Sequence, residues 1–161
     1  MARQSAGILL YRIRGDAPEV LLVHPGGPFW TKKDEGAWSI PKGEHEPGED
    51  ALDVALREFA EETGVELERT NRASFAELGT VRQRSGKNVS AWGVEGDLDP
   101  STVRSNTFTL EWPPKSGRLQ EFPEVDRVEW FSPEVARNKI NPAQAEFVDR
   151  LLRDVLRASR T

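Results

Sequence analysis

Short apolar runs open the chain, and their spacing changes from strand-like to helix-like and back. "SAGILLYRI" and "EVLLVHP" are brief aliphatic stretches separated by "RGDAP", the pattern of two strands joined by a turn. A Gly-rich, charged loop, "GGPFWTKKDEG", leads into the short extended segment "AWSIP", which Pro41 stops. From Glu49 to Glu62 the apolar positions recur with a helical period, after Pro47-Gly48 and before Gly64, so this segment is predicted as a helix. Alternation returns in "ASFAELGTVRQ", "NVSAWGVEG", "SNTFTLEW" and "DRVEWFS", with "RSGK" as a hairpin turn between the first two and "PPKSG" as a loop. A short helix is expected in "PEVARNKI". A longer one is expected in "PAQAEFVDRLLRDVLRAS", where Phe147, Leu151, Leu152 and Val155 fall at helical spacing. Strands, helix, strands and helices in that order predict an α/β sandwich with a mixed sheet. With no repeat and no dividing linker, residues 1–161 are expected to form a single domain.

The predicted helix from Glu49 to Glu62 has an unusual polar face. Each helical residue advances its side chain by about 100°, which sets Glu62 about 40° to one side of Glu58 and Glu61 about 60° to the other. Leu52, Leu56, Phe59 and Ala60 gather on the far side, ready to pack on a sheet. Like charges at i,i+3 and i,i+4 repel, and negative charge near a helix C-terminus opposes the dipole. Two explanations are open: a plainly solvated face, or a site for a hard divalent cation such as Mg²⁺ or Mn²⁺, which prefers oxygen ligands and would remove the repulsion.

Composition narrows the classes of function. A chain of 161 residues with 37% hydrophobic and 30% charged residues can bury a real core and belongs with soluble globular proteins. The absence of Cys excludes disulfides and thiolate chemistry. The apolar run after the N-terminus is too short for a signal peptide or a membrane span, so a cytoplasmic protein is expected. A net charge of −5 argues against a duplex-binding surface, since nonspecific affinity for nucleic acid comes from clustered Lys and Arg. Neither His24 nor His45 has a partner at a metal-ligand or triad spacing, and no Ser has an identifiable base.

The stretch "GEHEPGEDALDVALREFAEETGV" separates the two explanations. Gly43, Glu49, Arg57-Glu58, Phe59, Glu61-Glu62, Gly64 and Val65 stand at the spacings of the Nudix box, position for position. The chain therefore resembles the Nudix hydrolases, and the flanking "WSIPKG", the first strand pair and "VDRVEWFS" are similar to that family as well. The resemblance implies a Nudix-type α/β/α sandwich. It also implies metal-dependent hydrolysis of a phosphoanhydride in a nucleoside diphosphate linked to another moiety, X, yielding a nucleotide and X-phosphate without a covalent intermediate.

Residue by residue, the resemblance assigns Glu61 and Glu62 to the metal, with Glu58 either a third ligand or the base that activates water. Gly43 would contribute its carbonyl, and Glu49 and Arg57 would hold the loop against the helix. The family often recruits a carboxylate from outside the box. Among Glu121, Glu124 and Asp126, Glu124 is the residue assigned here to the metal. Lys42, in "PKG" where many relatives have two glycines, is similar to the branch acting on dinucleoside polyphosphates and diphosphoinositol phosphates, and is assigned to substrate phosphates; Lys32, Lys33 and Lys87 are weaker candidates of the same kind. Trp30 and Trp38 flank the loop into the box; Trp38 is either core or a ring for the base. The expected substrate is a small-molecule nucleotide, a dinucleoside polyphosphate or nucleoside triphosphate. Alternatives are a house-cleaning pyrophosphatase for oxidised nucleotides, an RNA 5′-end hydrolase, and a non-catalytic nucleotide-binding regulator, against which the presence of all three glutamates argues.

Overall fold

A computed structural model of the chain describes residues 3–67 and 74–156. Its centre is β1 (Gln4–Arg14), where seven successive residues, Ser5 to Tyr11, are buried because both faces of the strand are covered. Alternate side chains go to opposite faces. Ala6, Ile8 and Leu10 pack with Leu52, Ala55, Leu56 and Phe59 of helix α1 (Ala51–Thr63), while Leu9 and Tyr11 pack with Phe147, Val148 and Leu151 on the other side. Helices thus cover both faces of one sheet, the expected α/β/α sandwich.

The sheet also contains β2 (Ala17–Pro25), β3 (Lys42–His45), β4 (Ala76–Arg82), β5 (Asn88–Glu95) and β8 (Val125–Phe131), in the path β4-β5-β1-β2-β8. Pairing of β1 with β5 is parallel and the other pairings are antiparallel, so the sheet is mixed. On its other edge β1 changes partner: Tyr11–Arg14 pair with β2, and Gln4–Gly7 pair with β3. The chain from Trp38 to Pro41 fills the fork between these partners, with Ile8 N–H donating to the Pro41 carbonyl at 3.1 Å.

Several boundaries follow from local chemistry. The predicted helix starts two residues later than expected, at Ala51, because the Asp50 carboxylate accepts from Leu52 N–H at 3.0 Å and serves as the N-cap. It stops at Gly64, whose φ of 77° is readily reached only without a Cβ. Ser132 caps α2 (Pro133–Lys139), with Pro133 opening the helix. The long C-terminal helix is broken into a 3-10 turn at Pro142–Gln144, α3 (Ala145–Arg150) and a π-helical turn at Leu151–Leu156. Leu151 and Leu156 are both buried; in an α-helix they would sit about 140° apart, and the wider turn brings them closer to one side. The predicted end of this helix, at residues 157–159, and Ala73 of a predicted strand lie outside the described residues.

Sequence patterning missed β3 and β7 (Leu119–Pro123). Among the described residues strand β7 pairs only with β6 (Thr107–Glu111), in a separate hairpin with Phe108 opposite Phe122. It is almost wholly exposed, so it carries no alternation of buried and exposed positions to read.

Candidate active site

Helix α1 presents Glu58 and Glu62 toward β3, which the fork in the sheet brings against that face, with the Glu61 charge beside Glu58. Glu62 is only 9% exposed, and its carboxylate accepts from Lys42 N–H at 3.1 Å. Gly43 is so close to Glu58 that a Cβ there would lie 2.1 Å from the Glu58 carboxyl carbon. A side chain at that position would have to displace the Glu58 carboxyl, which accounts physically for a glycine beside the lysine.

Three backbone hydrogen bonds draw Glu124 to the same place. Asn106 N–H donates to the Glu61 carbonyl at 2.8 Å, Glu124 N–H to the Asn106 carbonyl at 2.8 Å, and Gly26 N–H to the Glu124 carbonyl at 3.0 Å. The flanks of the β6–β7 hairpin are thereby tied to the end of α1 and to the loop after β2. Mutual repulsion follows from this proximity. Burial, then the Glu61 charge, raise the Glu58 carboxyl above its ordinary range, with Arg57 opposing and Glu124 adding to the rise. Glu62 is pushed up to about 8, by burial first and by Glu58 second, against the pull of the Lys42 N–H and ammonium. Partial shielding and Glu61 raise Glu124 as well.

Four carboxylates thus share one small region, and oxygen donors of this kind suit a hard divalent cation. Among the described residues no three of them converge tightly enough to enclose an ion alone.

The remaining predicted residues take distinct places. Arg57 Nη1 lies 3.6 Å from Glu49 and Nη2 lies 3.9 Å from Glu58, bridging loop and helix; Glu49 also accepts from Glu46 N–H at 2.8 Å. Burial and the Lys87 charge lower the Lys42 ammonium from its usual range, while Glu62, Glu44 and Glu58 act in the opposite sense. Lys87 pairs with Glu44 at 3.6 Å. Lys33 sits over the Trp30 ring, on the exposed loop it shares with Lys32.

A cavity of about 280 Å³ is lined by Lys42, Glu62 and Glu124 together with Trp30, Trp38, Ile40, Gln83, Asn141 and Gln144. Trp38 is 1% exposed, with His24 and Phe131 packed against it and Arg127 over its ring, and its indole N–H donates to Asp34. It serves as wall, the core position, with little open face for a base. His24, to which the sequence assigns no role, is buried with Nδ1 2.7 Å from Asp126 and Nε2 2.7 Å from the Lys33 carbonyl, and so fastens the loop carrying Trp30 to β8. Gln83, Asn141 and Gln144 also escape sequence reasoning; only Asn141, before Pro142, carries a local signal, that of a helical cap.

Comparison with known proteins agrees with this architecture. Residues 1–151 match the NUDIX domain. The chain is 32% identical over 121 residues to the mouse nucleoside diphosphate-linked moiety X motif 6, covering 74% of this chain and 34% of that protein. It is 40% identical over 60 residues to the mouse asymmetrical bis(5′-nucleosyl)-tetraphosphatase, covering 36% of this chain and 41% of that one. The chain thus spans between a third and a half of the length of these curated relatives. Among solved structures, a C. elegans Ap4A hydrolase binary complex superposes with a TM-score of 0.63 at 20% identity, over 98% of this chain and 99% of that one. The NUDIX domain of Shewanella oneidensis NrtR, complexed with ADP ribose, does so with a TM-score of 0.61 at 16% identity, over 100% and 90%. With box, fold and family match in agreement over nearly its whole length, the chain belongs to the NUDIX family.

Proposed function

We propose that this protein is a metal-dependent hydrolase that cleaves a phosphoanhydride bond in a nucleoside diphosphate linked to X, with dinucleoside polyphosphates and then nucleoside triphosphates as its substrates, and that it works in the cytoplasm. The observation that carries the reading is the gathering of Glu124 with Glu58, Glu61 and Glu62, of which Glu62 and Glu124 line one cavity together with Lys42. Glu61, Glu62, Glu124 and the Gly43 carbonyl would hold Mg²⁺ or Mn²⁺. When bound, such a cation neutralises phosphate oxygens and lowers the pKa of a ligated water. Glu58 either completes that ligand set or takes the proton of the attacking water. Arg57 positions Glu58 and ties it to Glu49. Lys42 offers its ammonium as a point charge to a phosphate beyond the scissile bond.

The non-catalytic reading is disfavoured by the intact set of glutamates. A panel of dinucleoside polyphosphates, nucleoside triphosphates, oxidised nucleotides and capped RNA, incubated with Mg²⁺, Mn²⁺ or EDTA and resolved by chromatography, tests the proposal. Metal-dependent release of nucleotide that is abolished in Glu58→Gln supports it. Tight nucleotide binding without turnover of any substrate would replace it with the regulator.

A further inference from the structure

The cavity beside the carboxylates has a wall whose hydrogen-bonding groups are almost all spent. From Trp38 to Pro41 the backbone is engaged throughout: Trp38 N–H with the Lys139 carbonyl, the Trp38 carbonyl with Asn141 N–H, and Ser39 with Val23 in both directions. Ile40 N–H donates to Gln144 Oε1 at 3.0 Å, the Ile40 carbonyl accepts from the Ser39 hydroxyl at 2.7 Å, and the Pro41 carbonyl accepts from Ile8. A ligand entering here meets amide side chains instead.

The orientation of those amides is dictated by their neighbours. A backbone N–H can only donate, so the Gln144 atom facing Ile40 N is an oxygen, and the other terminal atom of Gln144 is its Nε2 donor. That Nε2 donates to Gln83 Oε1 at 2.8 Å and to the Ser39 hydroxyl at 3.1 Å. Gln83 therefore has its oxygen committed inward, which leaves Nε2 as the remaining polar atom of its amide. Asn141 is set the same way: its Oδ1 accepts from Ala143 N–H at 3.0 Å as a cap, leaving Nδ2. Among the described residues neither Gln83 Nε2 nor Asn141 Nδ2 has a hydrogen-bond partner, and both residues line the cavity. Gln144 itself is fully buried and acts as the pin that sets Gln83.

From this we infer that Gln83 and Asn141 are specificity-determining residues that present two N–H donors to the base of the substrate and select a 6-oxopurine, guanine or hypoxanthine, over adenine. The inference rests on the proposed nucleotide substrate and adds which base it carries. Guanine offers two acceptors on one edge, O6 and N7, whereas adenine replaces the first with an amino donor that would oppose an amide N–H. A polar group that the bound base would shield from water while facing it with a like group is costly, so discrimination of about tenfold or more is expected.

Equilibrium titration of the whole chain with GMP, IMP and AMP in EDTA, followed by tryptophan fluorescence, measures the base preference apart from turnover. GMP and IMP should bind alike, and AMP about tenfold or more weaker. Gln83→Glu keeps the acceptor for Gln144, and Asn141→Asp keeps the cap, while each turns the remaining donor into an acceptor. Both should lower the GMP to AMP ratio by about tenfold, a ratio in which the added charge cancels because the two ligands share one phosphate. Equal binding of GMP and AMP by the wild type, no saturable binding of any of the three, or ratios unchanged in both variants, would overturn the inference. IMP falling to the level of AMP would also overturn it, by showing that the 2-amino group is read. The kcat/KM values for guanine- and adenine-containing dinucleoside tetraphosphates separate the two claims. Guanine-selective binding with no hydrolysis strikes the proposed reaction alone, and hydrolysis of both at equal efficiency with equal GMP and AMP binding strikes only the base assignment.

Discussion

Replacing Glu62 by Gln should make the metal-free protein more stable and flatten the dependence of its stability on pH. The carboxyl is 9% exposed, lies near Glu58, and is pushed from an ordinary 4.5 up to about 8. An acid whose pKa is raised on folding holds its proton more tightly in the folded state. Its penalty is therefore absent below the unfolded value, grows as pH rises between the two pKa values, and is complete above the folded one. At 1.36 kcal/mol per unit, this one group costs the metal-free fold at most about 3 kcal/mol between pH 5 and pH 7.5. For a chain of this size that is about 9 °C in Tm. Gln keeps the shape and an oxygen for Lys42 N–H and has no charge to desolvate. Thermal unfolding in EDTA across pH 5 to 8 should show the wild type losing Tm through this window and Glu62→Gln losing far less. Added Mg²⁺ should restore the wild type at pH 7.5 by neutralising the pair of carboxylates, and should help the variant less. Parallel Tm curves for the two proteins in EDTA would refute the reasoning, because Glu62 would then be ionised at little cost in the fold.

Other consequences concern neighbouring residues. In Gly43→Ala the new methyl would have to displace the Glu58 carboxyl, so kcat should fall by about a hundredfold or more; steady-state kinetics with an unaltered circular dichroism spectrum would check it. Arg57→Lys replaces a planar fork by a point charge and should lower kcat/KM by about tenfold, since a Lys cannot reach Glu49 and Glu58 together. For Lys42→Ala, kcat/KM on a tetraphosphate-bridged dinucleotide should fall more than on a short diphosphate-linked substrate, with the gap narrowing as salt screens the charge over about 8 Å; equal losses would show that Lys42 does not sense chain length. Phe59→Ala, which empties a fully buried site between α1 and β1, should cost about 3–5 kcal/mol in urea denaturation.

What was legible in the sequence is local. Helix α1, its stop at Gly64, the placement of three glutamates on one face, and the strand pair at the start all follow from periodicities and turn chemistry that act over a few residues. The box spacing adds the identity of the family, since it is one contiguous pattern. Other features needed the chain to return on itself. Helical geometry puts Glu62 on the same face as Glu58, but only the pairing of β3 with β1 buries it under Lys42 and raises its pKa. Glu124 is one of several acidic residues in an exposed, weakly patterned segment. It joins the glutamates of α1 because backbone groups of Glu61, Asn106, Glu124 and Gly26 satisfy one another in sequence, a chain of bonds that no side-chain pattern records. The amides show the same limit more sharply: Gln83 and Gln144 are far apart along the chain, and which atom of Gln83 is left without a partner depends, through Gln144, on a hydrogen bond from Ile40 N–H, set by the fork in the sheet, whereas Asn141 is oriented by its own local cap. Periodicity and capping are properties of neighbouring residues, whereas burial, shared charge and hydrogen-bond direction belong to groups that meet only after folding.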